Sequence, residues 1–215
     1  MKAFARVFEN TFGAVDGFEN LKFAGRTDVS LVREFFKVHN IPATNENFEI
    51  FFERYVFWLD HILSESQIEI CPGVLQFIAG ARALPKPPTL GLLTGNIRLG
   101  AEIKLRRAGL WKYFAVGAFA DDAEDRDHIA AIARDRSALL LGETVSPSQV
   151  VVIGDTPLDI RCARAIGARV LAVATGGAAL PELLSHSPDW AVPTLEKISV
   201  ETITTRPKEI KRTSC

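Results

Sequence analysis

The stretch VVIGDTPLDI, Val151 to Ile160, decides how this chain is read. A short apolar, β-branched run ending in Gly154 predicts a buried strand. Asp155 then stands at the strand's carboxyl end, where a side chain faces a crevice rather than the core. Thr156 suits an N-cap and Pro157 the first helical position, which brings Asp159 to the third. Two readings of Asp159 stay open. With Asp155 it shares a hard divalent cation, which takes oxygen ligands in near-octahedral geometry. Alternatively, Thr156-x-x-Asp159 closes a capping box and Asp159 only steadies the helix.

Outward from this stretch the sequence alternates. "TLGLLT" from Thr89, "YFAVGAF" from Tyr113, "QVVVIG" from Gln149 and "ARVLAVA" from Ala168 read as strands, with a strand end at "DWAVP". Helical patterns lie between them over 97–108, 128–141 and 158–166, and again at "PELLSH". Strands joined by helices imply crossover connections, hence a parallel α/β sheet covered on both faces. Residues 1–84 read almost wholly as helix instead. Phe48, Phe51, Phe52, Tyr55, Leu59 and Ile62 draw one apolar stripe over 45–64, which predicts packing rather than a ligand box. The "PKPP" at 85–88 stiffens the connection between the two kinds of text. We divide the chain into a helical unit over 1–72, an α/β core over 73–198 and a polar tail over 199–215.

Composition narrows the function. The chain has 215 residues, 47% of them hydrophobic, and 25 Lys and Arg against 26 Asp and Glu. A net charge of −1 provides no field for nucleic acid or an anionic membrane. Cys71, Cys162 and Cys215 are scattered without C-x-x-C spacing, so neither a disulfide framework nor a zinc site is indicated. With no secretory leader pattern and no run of 18 apolar residues, a cytoplasmic protein is expected.

Three further stretches carry candidate chemistry. In "LLTGNIR" (Leu92 to Arg98), Thr94, Gly95 and Asn96 join a strand to a helix start, where backbone N–H groups and the Thr94 hydroxyl suit a phosphate. Asn96 as an ordinary N-cap explains half of the same pattern. "DDAEDRDH" (Asp121 to His128) reads as a solvated turn from which Arg126 lends positive charge to a phosphoryl group, with Lys104 as its rival. Asp125 and Asp127 form an Asp-x-Asp too far from a strand to be a well-anchored nucleophile. "GRTD" (Gly25 to Asp28) is a turn whose Arg26 either gates a substrate or lies on the surface. The four histidines are dispersed and show no ligand spacing.

"GLLTGN", "GDTPLDI" and "GARVLAVATGG", in that order, resemble motifs of the haloacid-dehalogenase-like hydrolases, in the phosphoglycolate-phosphatase-like branch with a helical cap. The resemblance covers about residues 1–198. It implies a Rossmann-like parallel core with a helical cap domain over 1–72. It also implies Mg²⁺ held at Asp155 and Asp159, and a phosphoryl group bound by Thr94, Gly95 and Asn96. Arg126 stands where the family has a lysine, and the implied substrate is a small phosphorylated metabolite.

The family opens with a central strand ending in Asp-x-Asp, whose first aspartate attacks phosphorus. Here the chain opens directly in what resembles the first cap helix, and Asp16 falls after that helix. The resemblance therefore implies that no catalytic nucleophile is present. The expectation is a truncated or inactive phosphatase, in which the strands ending at Gly154 and Thr94 face a gap and stay apart. The competing reading is a noncatalytic phosphate-binding or interaction protein on the same scaffold. Dehalogenation is disfavoured, because it needs no metal.

Overall fold

The computed structural model describes residues 1–17 and 23–205; the polar stretch 206–215, with Cys215, lies outside the described residues. Helix α1 (Lys2–Phe12) buries Ala3, Phe4, Val7 and Phe8 on one stripe and stops at Gly13, whose φ of 68° ends the helix at low steric cost. Helix α2 (Asp28–Val38) starts at Thr27, whose hydroxyl accepts the Ser30 N–H at 3.2 Å. Helix α3 (Asn45–Ser64) is capped in the same way by Thr44.

These three helices enclose an aromatic core in which Phe8 stacks on Phe35 at 3.7 Å and Phe4 meets Tyr55 edge-on at 4.8 Å. The 45–64 stripe serves as packing: Phe51, Tyr55 and Leu59 are buried, and Phe48, Phe52 and Ile62 lie against them.

The alternating half begins after α4 (Val74–Ala83). It runs β1 (Gly91–Leu93), α5 (Arg98–Arg107), β2 (Val116–Ala118), α6 (Arg126–Leu141), β3 (Val151–Gly154), α7 (Pro157–Ala165), β4 (Arg169–Val173), α8 (Leu180–Ser185) and β5 (Trp190–Val192). All pairings are parallel, as crossover helices require.

Two boundaries differ from the sequence reading. Helix α6 begins at Arg126, because the Asp125 carboxylate accepts the N–H groups of Asp127 and His128 at 2.9 and 3.1 Å; the charge run is a helix start rather than a free turn. Residues 199–205 are not a loose tail. Helix α9 (Val200–Thr204) lies there and buries Val200 and Ile203 next to α4, and a single i, i+3 apolar pair is too short a period to recognise in sequence.

The strands form two sheets among the described residues, β1-β2 and β3-β4-β5, and β1 does not pair with β3. In β4, the middle strand, Val170 to Val173 are all buried. In β3, whose far edge is open, Ile153 is 42% exposed. A strand covered on both faces and both edges would not leave a central isoleucine in that state.

Phe8 is fully buried, so Phe8→Ala leaves a cavity in the helical unit. We expect a loss of about 3–5 kcal/mol in chemical denaturation.

Candidate active site

The site is built at the carboxyl ends of β1 and β3, where the two half-sheets face each other. Between them lies a cavity of about 300 Å³, lined by Leu93, Ile153, Val173, Val74 and Leu195, with Asp155, Asp159 and Arg126 also on its wall. Asp155 follows directly on β3, and Asp159 sits in the first turn of α7.

Gly154 and Gly176 make room for these carboxylates. A Cβ at Gly154 would overlap Asp159, and one at Gly176 would overlap the Asp155 carboxylate. Burial raises the Asp155 pKa above the ordinary range, and the Asp159 charge adds to the effect. Arg126 and the Gly177 N–H act against it.

Asp159 is fully engaged. One carboxylate oxygen accepts the Thr156 N–H at 3.0 Å, the Thr156 hydroxyl at 2.7 Å and the Asp155 N–H at 3.2 Å. The other pairs with Arg126. The capping box read as one alternative is therefore formed, and the same side chain also carries a buried ion pair. Arg126 reaches back to the Gly25 carbonyl at 3.4 Å, while its Nε is buried without a hydrogen-bond partner among the described residues. Asp125 caps α6, Asp127 lies in its first turn, and both carboxylates lie within 4 Å of Arg161. Burial lifts the nearby Cys162 thiol to about 11, so it stays protonated.

The Thr94–Asn96 loop does not use Asn96 as the N-cap that was one sequence alternative. Helix α5 is capped neither by Asn96 nor by its own N-cap residue, Ile97. Instead Asp28 accepts the Ile97 N–H at 2.8 Å, and Asp121 accepts that of Arg98. The Asn96 N–H turns to the Thr94 hydroxyl at 3.2 Å. The helix start is thus already neutralised by carboxylates, and the donors left for an anion are those of the turn. Among the described residues the Gly95 N–H has no acceptor. Lys104 donates to Asn96 Oδ1 at 2.7 Å, so it supports this loop from behind, whereas Arg126 shares the cavity with Asp155.

Arg26 points along α2, pairing with Glu34 and donating to the Ser30 carbonyl at 3.2 Å. Its backbone matters more than its guanidinium, because a Cβ on Gly95 would overlap the Arg26 carbonyl. The residue that sequence reading passed over is Asp28, which is 4% exposed although it carries a carboxylate. Its only sequence signal was its place after Thr27 at a helix start.

Comparison with known proteins gives the family and the fold. Residues 1–173 match the family model described as haloacid dehalogenase-like hydrolase. The chain belongs to that family. A phosphoglycolate phosphatase of Synechococcus elongatus is 30% identical over 127 residues, a match spanning 59% of this chain and 56% of that protein. Among solved structures, a HAD hydrolase of family IA, variant 3, from Entamoeba histolytica superposes with a TM-score of 0.71 at 19% identity, covering 94% of this chain and 89% of that one. CbbY from Rhodobacter sphaeroides, solved in complex with phosphate, gives 0.66 at 18% identity, covering 95% and 91%. At these identities the structures share the fold. No helix among the described residues is long and apolar enough to cross a membrane.

Burial, with Asp121 adding, raises the Asp28 pKa from 3.8 to about 6, against the pull of Lys104, the Ile97 N–H and the Met1 amino group. The raised folded pKa means that its stabilising contribution is complete below about pH 3.8 and is lost as pH rises through about 6. Two pH units correspond to about 3 kcal/mol. Asp28→Asn should therefore gain stability relative to the wild type between pH 4 and pH 7, read as a widening difference in melting temperature.

Proposed function

We propose that this chain carries the phosphate- and metal-binding part of a phosphomonoester hydrolase site for small phosphorylated metabolites. The observation that supports it best is the convergence of Asp155, Asp159 and Arg126 on one cavity wall at a strand's carboxyl end. Thr94 and Gly95 stand at the end of the facing strand. A phosphoryl group there meets the Thr94 hydroxyl and the Gly95 N–H on one side and the Arg126 guanidinium on the other. Each is a donor suited to the charge that phosphoryl transfer develops.

Asp155 is the carboxylate that fits Mg²⁺: Gly176 leaves it room, and its burial beside Asp159 leaves negative charge to be balanced. Such an ion needs only one or two protein carboxylates and keeps several waters. Asp159, read from the sequence as a second ligand, would act here mainly by holding Arg126 and the start of α7. Bound Mg²⁺ would supply charge neutralisation to the phosphoryl oxygens.

In-line attack on phosphorus needs a further carboxylate opposite the leaving group. Among the described residues no cluster of three metal-ligating side chains occurs, and no third carboxylate lines the cavity. We infer that the slot between β1 and β3 takes a strand that completes the sheet and brings that group, and that the chain is inactive without it. The open β3 edge and the exposed Ile153 support this reading. A noncatalytic phosphate-binding role is favoured instead if phosphate binds and no added strand restores turnover.

Two outcomes are expected. Mg²⁺ with phosphate raises the melting temperature of the wild type and not of Asp155→Ala, while p-nitrophenyl phosphate is hydrolysed no faster than in buffer. Magnesium-dependent turnover abolished by Asp155→Asn would reverse the second statement. Fusing to the amino terminus an apolar strand of about 5–6 residues that ends in Asp-x-Asp should raise stability by several kcal/mol and give phosphatase activity. A fusion that leaves both unchanged counts against the slot.

A further inference from the structure

The turn from Gly25 to Asp28, at the entrance to α2, touches both the Thr94–Asn96 turn and the start of α6. Arg126 donates to the Gly25 carbonyl, and the Arg26 carbonyl lies against Gly95. The Thr27 hydroxyl donates to the Glu124 carbonyl at 3.0 Å, and Arg33 on the same helix pairs with the Glu124 carboxylate at 2.9 Å. Asp28 makes the tightest connection. Its N–H donates to the Gly95 carbonyl at 2.6 Å, its Oδ2 accepts the Ile97 N–H at 2.8 Å, and its Oδ1 lies 3.5 Å from the Asn96 amide nitrogen. Lys104 holds the other end of the Asn96 amide. Both peptide units that flank Asn96 are therefore fixed by one residue 69 positions away in the chain.

A neutral N-cap at position 97 would satisfy the first N–H of α5 without burying a charge. Burying a carboxylate is more expensive than that unless it is paired. Asp28 gives what a local cap cannot: it fixes the carbonyl before Asn96 and the N–H after it at once, so the intervening turn has one conformation.

We propose that Asp28 is a positioning residue that holds the Thr94–Gly95–Asn96 turn in its anion-receiving shape, so that the helical unit sets the phosphate affinity of the α/β core. This rests on the phosphate-binding reading above. Through Asp28, α2 and the turn before it act as part of the site without touching the ligand. The charged and titratable groups around Asp28 are Lys104 and Asp121 from the core, the Met1 amino group at the start of α1 and the Tyr55 hydroxyl from α3.

The test uses amide hydrogen exchange on the ligand-free chain and titration with inorganic phosphate followed at the Thr94–Asn96 amides. In Asp28→Ala we expect the Ile97 amide to lose about tenfold in protection, the loss of one hydrogen bond to a charged acceptor, with the aromatic core of α1–α3 unaffected. Phosphate affinity should fall about tenfold with it. Asp28→Asn, which keeps an acceptor for Ile97, should restore both to within about threefold and serves if the alanine variant does not fold. Unchanged exchange at Ile97, or unchanged phosphate affinity beside lost protection, overturns the proposal. If the wild type binds no phosphate while Asp28→Ala still loses protection at Ile97, the phosphate-binding reading fails and Asp28 is a structural clamp alone.

Discussion

The carboxylate of Asp28, buried at the foot of α5, is the interaction on which the arrangement of this molecule depends. It sits where the helical unit meets the α/β core and supplies the hydrogen-bond acceptor that the start of α5 lacks in its own sequence. Lys104 offsets its charge from the far side of Asn96, and burial moves the two pKa values toward each other, Asp28 up and Lys104 down. The Asp28 bonds to Gly95 and Ile97 tie α2 to the core.

An ion pair plays the corresponding part on the other strand. Asp159 closes the helix cap, steadies the Asp155 backbone and holds Arg126, so three features of the site share one carboxylate. With side-chain exposures of 12% and 6%, the pair is shielded from solvent and weakly screened by salt. Among the described residues Asp155 is left without a cationic partner of its own, which distinguishes two aspartates that the sequence presents as equals. Arginine suits this place because its planar fork can engage a carboxylate and still present a second face, which a lysine cannot do.

The division of the sheet is the other constraint. Parallel strands expose regular rows of N–H and C=O groups, and an edge left open in the middle of a covered sheet is unfavourable for both its backbone and its side chains. Here two such edges point at one apolar slot with charged groups at its end. The half-sheets do not close on each other. Each is fixed by its own crossover helices, and a change of register would turn buried faces outward.

The sequence by itself determined the elements and their order. Strong apolar periodicity over 45–64 gave a helix and its buried face, and β-branched runs ending in glycine gave the parallel strands, because both signals arise from local geometry and burial. It also placed Asp155 at a strand end, since strand-to-helix junctions in such sheets project side chains into the crevice. It could not separate a capping Asp159 from a ligating one, because both need the same residue at the same helical position. Only the tertiary structure decided that Asp28 caps a helix 69 positions away, that Lys104 braces Asn96 while Arg126 joins Asp155, and that Val200 and Ile203 pack as a helix. These outcomes depend on which surfaces meet across long stretches of chain, and no local pattern of residues encodes that meeting.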